Sequence, residues 1–337
     1  MSHKMRTITI KDVAELANVS KSTVSQYLNK RYDYMGEATK QRIKEAIEEL
    51  GYQPNIVARS LKQKSSTTIG VIVANILHEF STQIIRAIED QCHELDFHII
   101  VCNADDNPYK EKNYIDMLRA KQVDGLIVFP TSDNVELYQE LLRQGMPIVF
   151  IDRLVSNVDV NTIMLANEDA SKFAVDEFVK KQHERIGIVT TSTVNNVSPR
   201  VERVNGYLKA LETHGIPVRS EYIISAELDK VQDELDQMMK LKDPPKAILA
   251  GNDLTLIEIL KYVKEHNISI PDDLSLIGVD DVSFAEIYNP SITTVAQPTF
   301  RMGKQAAEVL INQIKNGGDE ERQVFRFGPK LIPRQSS

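Results

Sequence analysis

The sequence predicts a small all-α head joined by a linker to a larger α/β core made of two parallel-sheet subdomains. Three observations carry that prediction. Apolar residues recur at helical spacing through the first 50 residues. Residues 53–68 then turn polar, with Pro54, Asn55 and the run Gln63-Lys64-Ser65-Ser66-Thr67. Past residue 68, short and wholly apolar runs alternate with helical stretches of about a dozen residues. With 337 residues, 42% of them hydrophobic, the chain is long enough for two or three cores.

The head reads as three short helices. Thr9 with Asp12 three residues on is a capping-box start, and Ile10, Val13, Ala14, Leu16 and Ala17 follow at helical spacing. Asn18-Val19-Ser20 breaks the pattern, and Ser20 is placed to cap a second helix from Lys21 to about Leu28. A polar loop with Asn29, Asp33 and Gly36 leads to a third helix, Glu37 to Leu50, stopped by Gly51. Two short helices, a tight turn and a closing helix form a helix-turn-helix. The outward residues of the second helix are Lys21, Ser22, Thr23, Ser25, Gln26 and Asn29, which suit base edges and phosphates.

Charge supports that reading. Residues 1–65 hold 12 basic and 7 acidic residues, a net of +5, while the remainder holds 28 basic and 41 acidic. A basic head on an acidic body fits a head that meets a polyanion; a solvated helical face is the alternative. The segment Ile56–Lys62 is a marginal helical turn within the linker, too short to be stable alone.

In the core, strands are expected at Ile69–Ala74, Phe97–Cys102, Gly125–Phe129, Ile148–Ile151, Ile186–Thr190, Ala247–Ala250 and Leu274–Val279. Helices are expected at Ser81–Leu95, Lys110–Lys121, Glu168–Lys181, Val201–His214 and Asp253–His266. Fully apolar strands alternating with helices mean a parallel sheet covered on both faces. Two such series, before and after about Ala166, suggest two similar subdomains with a cleft between them. Ligands of open parallel sheets bind beyond the carboxyl ends of the strands. The loops starting at Asn75, Asn103, Pro130, Asp152, Thr191, Asn252 and Asp280 are therefore the place to look.

Other classes find little support. Cys92 and Cys102 have neither disulfide-framework nor zinc-site spacing. No run of 18 apolar residues is long enough to span a membrane, and the polar start offers no signal peptide, so a cytosolic protein is expected. No phosphate loop, dinucleotide fingerprint, nucleophile elbow or metal-spaced histidine cluster is present, and neither enzyme, cofactor nor metal is expected.

The string Thr9-Ile10-Lys11-Asp12-Val13-Ala14-Glu15-Leu16-Ala17-Asn18-Val19-Ser20-Lys21-Ser22-Thr23-Val24-Ser25 strongly resembles the head of the lactose/galactose repressor (LacI/GalR) family. Gly51-Tyr52-Gln53-Pro54-Asn55 and Val57-Ala58-Arg59-Ser60-Leu61 match it too. So do Val123-Asp124-Gly125-Leu126-Ile127, Gly251-Asn252-Asp253, Leu276-Ile277-Gly278-Val279-Asp280-Asp281 and Thr293-Thr294-Val295-Ala296-Gln297-Pro298, in order along nearly the whole chain. Within the family the chain is similar to repressors of 2-keto-3-deoxygluconate metabolism.

The resemblance implies periplasmic-binding-protein-like subdomains, a DNA-binding head over residues 1–52, a hinge over 53–66 and a core over 67–337. One subdomain would comprise about 67–166 plus 294–325, the other about 167–293 plus 326–337. It implies operator contacts by Thr9, Ser20, Lys21, Ser22, Thr23, Ser25, Gln26 and Asn29, and by Asn55, Ala58, Arg59, Leu61 and Lys62 of a hinge that turns helical on DNA. Leu61 would wedge into the minor groove as one of a homodimer's pair; ordinary packing on the head is its alternative. Gln26 stands where many relatives carry a longer basic or aromatic residue, and glutamine favours adenine edges.

For the cleft, the resemblance implies a small sugar or sugar-acid effector held by Phe80, Ser81, Phe129, Thr131, Asp152, Arg153, Arg203, Asn252, Asp280 and Gln297. Asp152 with Arg153 as a structural ion pair is the alternative for those two. Arg153, Arg200 and Arg203 near the cleft favour an acidic effector, 2-keto-3-deoxygluconate above all, although Arg200 would serve equally as a solvated surface charge. His78-Glu79-Phe80-Ser81 departs from the usual Asn-Pro-Phe-Phe, and Leu256 and Glu258 replace small residues. A neutral-sugar effector or a phosphoprotein partner is the rival within the family, and a sugar-binding protein without DNA function is the rival outside it.

Overall fold

A computed structural model describes residues 8–33, 35–53, 65–131, 133–193, 196–317 and 321–337. The chain divides into two compact units, Met1–Ser66 and Thr67–Ser337.

The first unit holds α1 (Ile10–Leu16), α2 (Lys21–Leu28) and α3 (Glu37–Leu50). Val13, Ala14, Ala17, Val24, Met35, Ile43 and Ala46 form its core, with Tyr27, Leu28 and Tyr52 packed against it. Leu16, expected on the apolar face, is half exposed. The Thr9 backbone N–H and hydroxyl both donate to Asp12, at 2.7 and 2.6 Å, which fixes the start of α1. Gly51 ends α3 in the left-handed conformation, φ +59°, which glycine adopts without steric cost.

The second unit contains two six-stranded sheets among the described residues. The first uses β1 (Thr68–Val73), β2 (His98–Asn103), β3 (Gly125–Val128), β4 (Ile148–Ile151), β5 (Asn161–Leu165) and, from near the chain end, β11 (Val324–Phe327). Their order is β11-β5-β4-β3-β1-β2, all parallel. The second uses β6 (Ile186–Thr191), β7 (Ile223–Ala226), β8 (Ala247–Ala250), β9 (Ser275–Val279), β10 (Thr293–Ala296) and β12 (Lys330–Ile332). Its order, β12-β10-β9-β8-β6-β7, has only β12 antiparallel.

Helices cover both sheets. α4 (Glu79–Glu94) and α12 (Thr299–Asn316) pack on the first, burying Ile84, Ile88, Met302, Ala306 and Leu310 against β1, β3 and β4. α5 (Pro108–Ala120) and α6 (Val135–Arg143) lie with Tyr138 and Phe150 in the cluster that holds Leu126 and Val128. In the second lobe, α7 (Asn167–Lys180) and α8 (Ser198–Thr213) share one cluster with β6, β8 and β9. α9 (Val231–Met239), α10 (Asp253–Glu265) and the short α11 (Ser283–Ile287) share another. No described helix is long and apolar enough to cross a membrane.

The chain crosses between lobes three times. β10 pairs with β9, so it belongs to the second lobe, whereas a start at 294 was expected for the return into the first. The return falls between β10 and α12. β11 pairs with β5 through Phe327, so the last crossing falls after 327, against an expectation of about 326.

Candidate functional site

In the head, α2 presents Lys21, Ser22 and Gln26 to solvent, with Thr23, Ser25 and Asn29 half buried. The Ser20 hydroxyl accepts from the Thr23 backbone N–H at 3.1 Å and lies 2.6 Å from the Ser22 hydroxyl and 2.8 Å from that of Thr23. A cluster of hydroxyls thus sits at the positive end of α2, where a phosphate oxygen is favoured. Asn29 Nδ2 donates to the Ser25 carbonyl at 2.7 Å, and Thr9 is exposed but tied to Asp12. Asn55, Ala58, Arg59, Leu61 and Lys62 lie outside the described residues.

In the core, one cavity between the lobes gathers nine of the ten residues expected there. Phe80, Ser81, Phe129, Asp152 and Arg153 line it from the first lobe; Arg203, Asn252 and Asp280 line it from the second, and Gln297 from the crossing after β10. The space between these side chains is about 480 Å³, open solvent included. Thr131 does not line it. Its backbone N–H is drawn 2.7 Å from Oε2 of the buried Glu111, which also accepts from Asn134 and Tyr138, so the loop after β3 turns away behind Phe129.

Each lobe contributes an equivalent device. Asp152 follows β4 with φ +69° and Asp280 follows β9 with φ +81°. Both aspartates occupy the left-handed region at a strand's carboxyl end, a conformation that non-glycine residues adopt at a cost and that clusters at functional sites. Phe80 and Phe129 meet edge to face, ring centres 6.2 Å apart, and form the apolar wall.

The charges are interlocked. Arg153 Nη1 donates to Asp106 Oδ1 at 2.6 Å, while its Nε stands 3.7 Å from Asp152. The expected Asp152–Arg153 pair is therefore secondary to one with Asp106. Arg203 donates from Nε to Asn167 at 2.9 Å and from Nη1 to the Gly251 carbonyl at 2.5 Å. Arg203 reaches Asn167 because α8 packs unusually close to the start of α7: a Cβ on Gly206 would sit 2.4 Å from the Glu168 carbonyl oxygen. Asp280 accepts from Gln297 Nε2 at 2.6 Å. Burial raises the Asp280 carboxyl to about 6, against the opposing charge of Arg203.

Two further ionisable residues line this cavity, His78 and Arg200. Arg200 Nη1 donates to the Ser192 carbonyl at 2.8 Å and its Nη2 lies 3.7 Å from Asp106 Oδ2. Burial, and then the neighbouring Arg153, depress the Arg200 guanidinium below its usual range. His78 belongs to a clasp at the cleft mouth. Its Nδ1 meets Asp253 Oδ1 at 2.5 Å, and the Glu79 N–H donates to Asp253 Oδ2 at 2.8 Å. Reciprocally, Glu79 accepts from the Ser283 N–H at 3.0 Å and from its hydroxyl at 3.2 Å. Burial lowers the His78 pKa, but the bond to and charge of Asp253 more than offset this, so it ends raised. The departure at His78-Glu79 was visible in the sequence; Asp253 and Ser283 as its counterparts were not.

A three-helix DNA-reading head on a two-lobed binding core defines a class, the DNA-binding transcriptional regulators. Comparison with known proteins places the chain within it. The profile "Bacterial regulatory proteins, lacI family" matches residues 9–55, and "Periplasmic binding protein-like domain" matches residues 175–337. The probable HTH-type transcriptional regulator EndR of Paenibacillus polymyxa is 47% identical over 332 residues, 97% of this chain and 98% of that one. The HTH-type transcriptional regulator KdgR of Bacillus subtilis (strain 168) is 34% identical over 340 residues, 97% of each chain. The Lac repressor bound to ONPG in its repressed state superposes with a TM-score of 0.85 at 25% identity, over 98% of this chain and 100% of that one. The chain belongs to the lacI family of bacterial regulatory proteins, which are transcriptional regulators and not enzymes.

Proposed function

We propose that this regulator represses a carbohydrate or sugar-acid catabolic operon, and that a small sugar acid bound between the lobes sets its grip on the operator. The best candidate effector is 2-keto-3-deoxygluconate. One observation carries the acidic class: the cavity lining holds three guanidinium groups, Arg153, Arg200 and Arg203, against two carboxylates, Asp152 and Asp280. Guanidinium suits a carboxylate, while Asp280, Asn252 and Gln297 are the groups that pair hydroxyls. The 34% identity to KdgR fits this choice without singling it out.

On DNA, Lys21, Ser22, Thr23, Ser25, Gln26 and Asn29 read or anchor the major groove, with Thr9 and Ser20 at its phosphates. Asn55, Ala58, Arg59, Leu61 and Lys62 form the hinge of a homodimer whose paired Leu61 side chains enter the minor groove. A two-fold operator requires two heads, and lobe closure alters how the heads are spaced. The test is a calorimetric panel of sugar acids and neutral sugars on the full chain. Binding of 2-keto-3-deoxygluconate or a close sugar acid is expected; tight binding of a neutral sugar alone removes the acidic class.

A further inference from the structure

The cavity's three arginines are not equivalent. Arg203 is committed within its own lobe: Nε and Nη1 are spent on Asn167 and the Gly251 carbonyl, and its charge faces Asp280. Arg153 donates from Nη1 to Asp106 at 2.6 Å, while its Nε, 3.7 Å from Asp152, is buried and has no hydrogen-bond partner among the described residues, which leaves that donor inaccessible to solvent. Arg200 is held by one bond, Nη1 to the Ser192 carbonyl at 2.8 Å. Among the described residues, neither its Nε nor its Nη2 makes a hydrogen bond. Its nearest carboxylate, Asp106, lies 3.7 Å away and is already bonded through its other oxygen to Arg153.

We infer that Arg200 is the residue that distinguishes an acidic effector from its neutral counterpart, by pairing the effector's carboxylate through its uncommitted Nε and Nη2 edge. This rests on the sugar-acid reading above and assigns its charge recognition to one side chain. Three features favour it. The fixed Ser192 contact orients the guanidinium without using its remaining donors. Arg200 is largely buried, with its side chain 18% exposed, so an anion meets little competition from water. Arg153 crowds it with a second positive charge, and one shared aspartate between two guanidinium groups leaves room for another anion. Arg203 and Arg153 act as positioning residues: they fix the walls that carry Asn252, Asp280 and Asp152.

Hydrogen bonds to a charged partner are about twice as strong as neutral ones, so the side chain that makes them sets the acid-over-neutral ratio. The experiment is calorimetric titration of the full chain with 2-keto-3-deoxygluconate and D-gluconate, each beside its neutral amide, on wild type, Arg200→Gln and Arg200→Lys. In the wild type the acid is expected to bind about tenfold or more tighter than its amide. Arg200→Gln is expected to erase that ratio, leaving amide affinity within about threefold of wild type, and Arg200→Lys to keep part of it. Equal loss of acid and amide binding in both variants marks a merely structural arginine and overturns the inference. So does an undiminished acid preference in Arg200→Gln. If the wild type binds neither acid, the sugar-acid reading falls and takes this inference with it; a preference that survives in the variant overturns the inference alone.

Discussion

Asp280 shows how far a single residue can be read. Its identity and its place after a strand were legible, because Leu276–Asp281 is an apolar run ending in carboxylates. Its electrostatic cost was not, because burial is a property of the closed cleft. Its pKa in the fold is about 6, above the 3.8 of an unburied aspartate, so ionisation disfavours the folded state. The cost is absent below pH 4, grows between 4 and 6, and is complete above 6. Asp280→Asn keeps an acceptor for Gln297 and removes the charge. It is expected to stabilise the core above pH 6 by on the order of 3 kcal/mol, a gain that disappears below pH 4, as read by urea unfolding across pH. Thr131 illustrates the opposite failure. Its position after β3 pointed to the cleft, but the buried Glu111, 20 residues upstream in a helix, captures its N–H. Pairings of that range leave no local signal. His78 was legible only as a departure from pattern, and its partner Asp253 lies 175 positions away.

At the scale of elements, many apolar runs and helical spacings were legible, while weak edges and the helices α6, α9 and α12 were not. α2, α3, β4 and β8 fall where the helical spacing or apolar run placed them. β5, β7, β10, β11 and β12 went unread: three to five residues each, most opening on or interrupted by polar side chains, they become strands only by pairing. Close packing of elements is equally silent in sequence, and Gly206 is an instance. Alanine in a helix is ordinarily better than glycine by about 1 kcal/mol. Here its Cβ would lie 2.4 Å from the Glu168 carbonyl oxygen, which is backbone and cannot swing aside. Overpacking of about 1–3 kcal/mol should outweigh the propensity gain. Gly206→Ala is thus expected to lower the unfolding midpoint and, by pushing α8 from α7, to weaken effector binding through Arg203. A raised midpoint with unchanged binding would contradict this.

The clasp joins elements of the two lobes and carries its own pH dependence. Asp253 heads α10 and faces His78 and the start of α4; Asp280 and Asp106 also act on His78. Because the folded His78 pKa is raised above 6.5, its contribution is complete below pH 6.5 and is lost as pH rises through the folded value. Asp253→Asn removes the charge-assisted part, worth about 1.5–3 kcal/mol. The stability gap between wild type and variant is expected to be largest near pH 6 and to shrink as the pH rises further. A gap that stays constant or widens with pH would contradict the assignment.

For the whole molecule, the two-unit division and the two-sheet core were legible from the composition break and from strand–helix alternation. The crossings were not placed to the residue, since nothing local shows that α12 returns to the first lobe while β10 stays in the second. The proposed function depends on that weave: in that reading, three strands of chain between the lobes let them close as bodies on a ligand, and closure is what a pair of DNA-binding heads would feel. The most direct measurement is operator binding by the full chain at one fixed salt concentration, on duplexes selected from a random pool, with and without 2-keto-3-deoxygluconate. Sequence-selective binding as a dimer, with affinity shifted about tenfold or more by the sugar acid and not by neutral aldoses, is the expected result. Selective binding that no sugar acid alters, or no selective retention of any duplex, would contradict it.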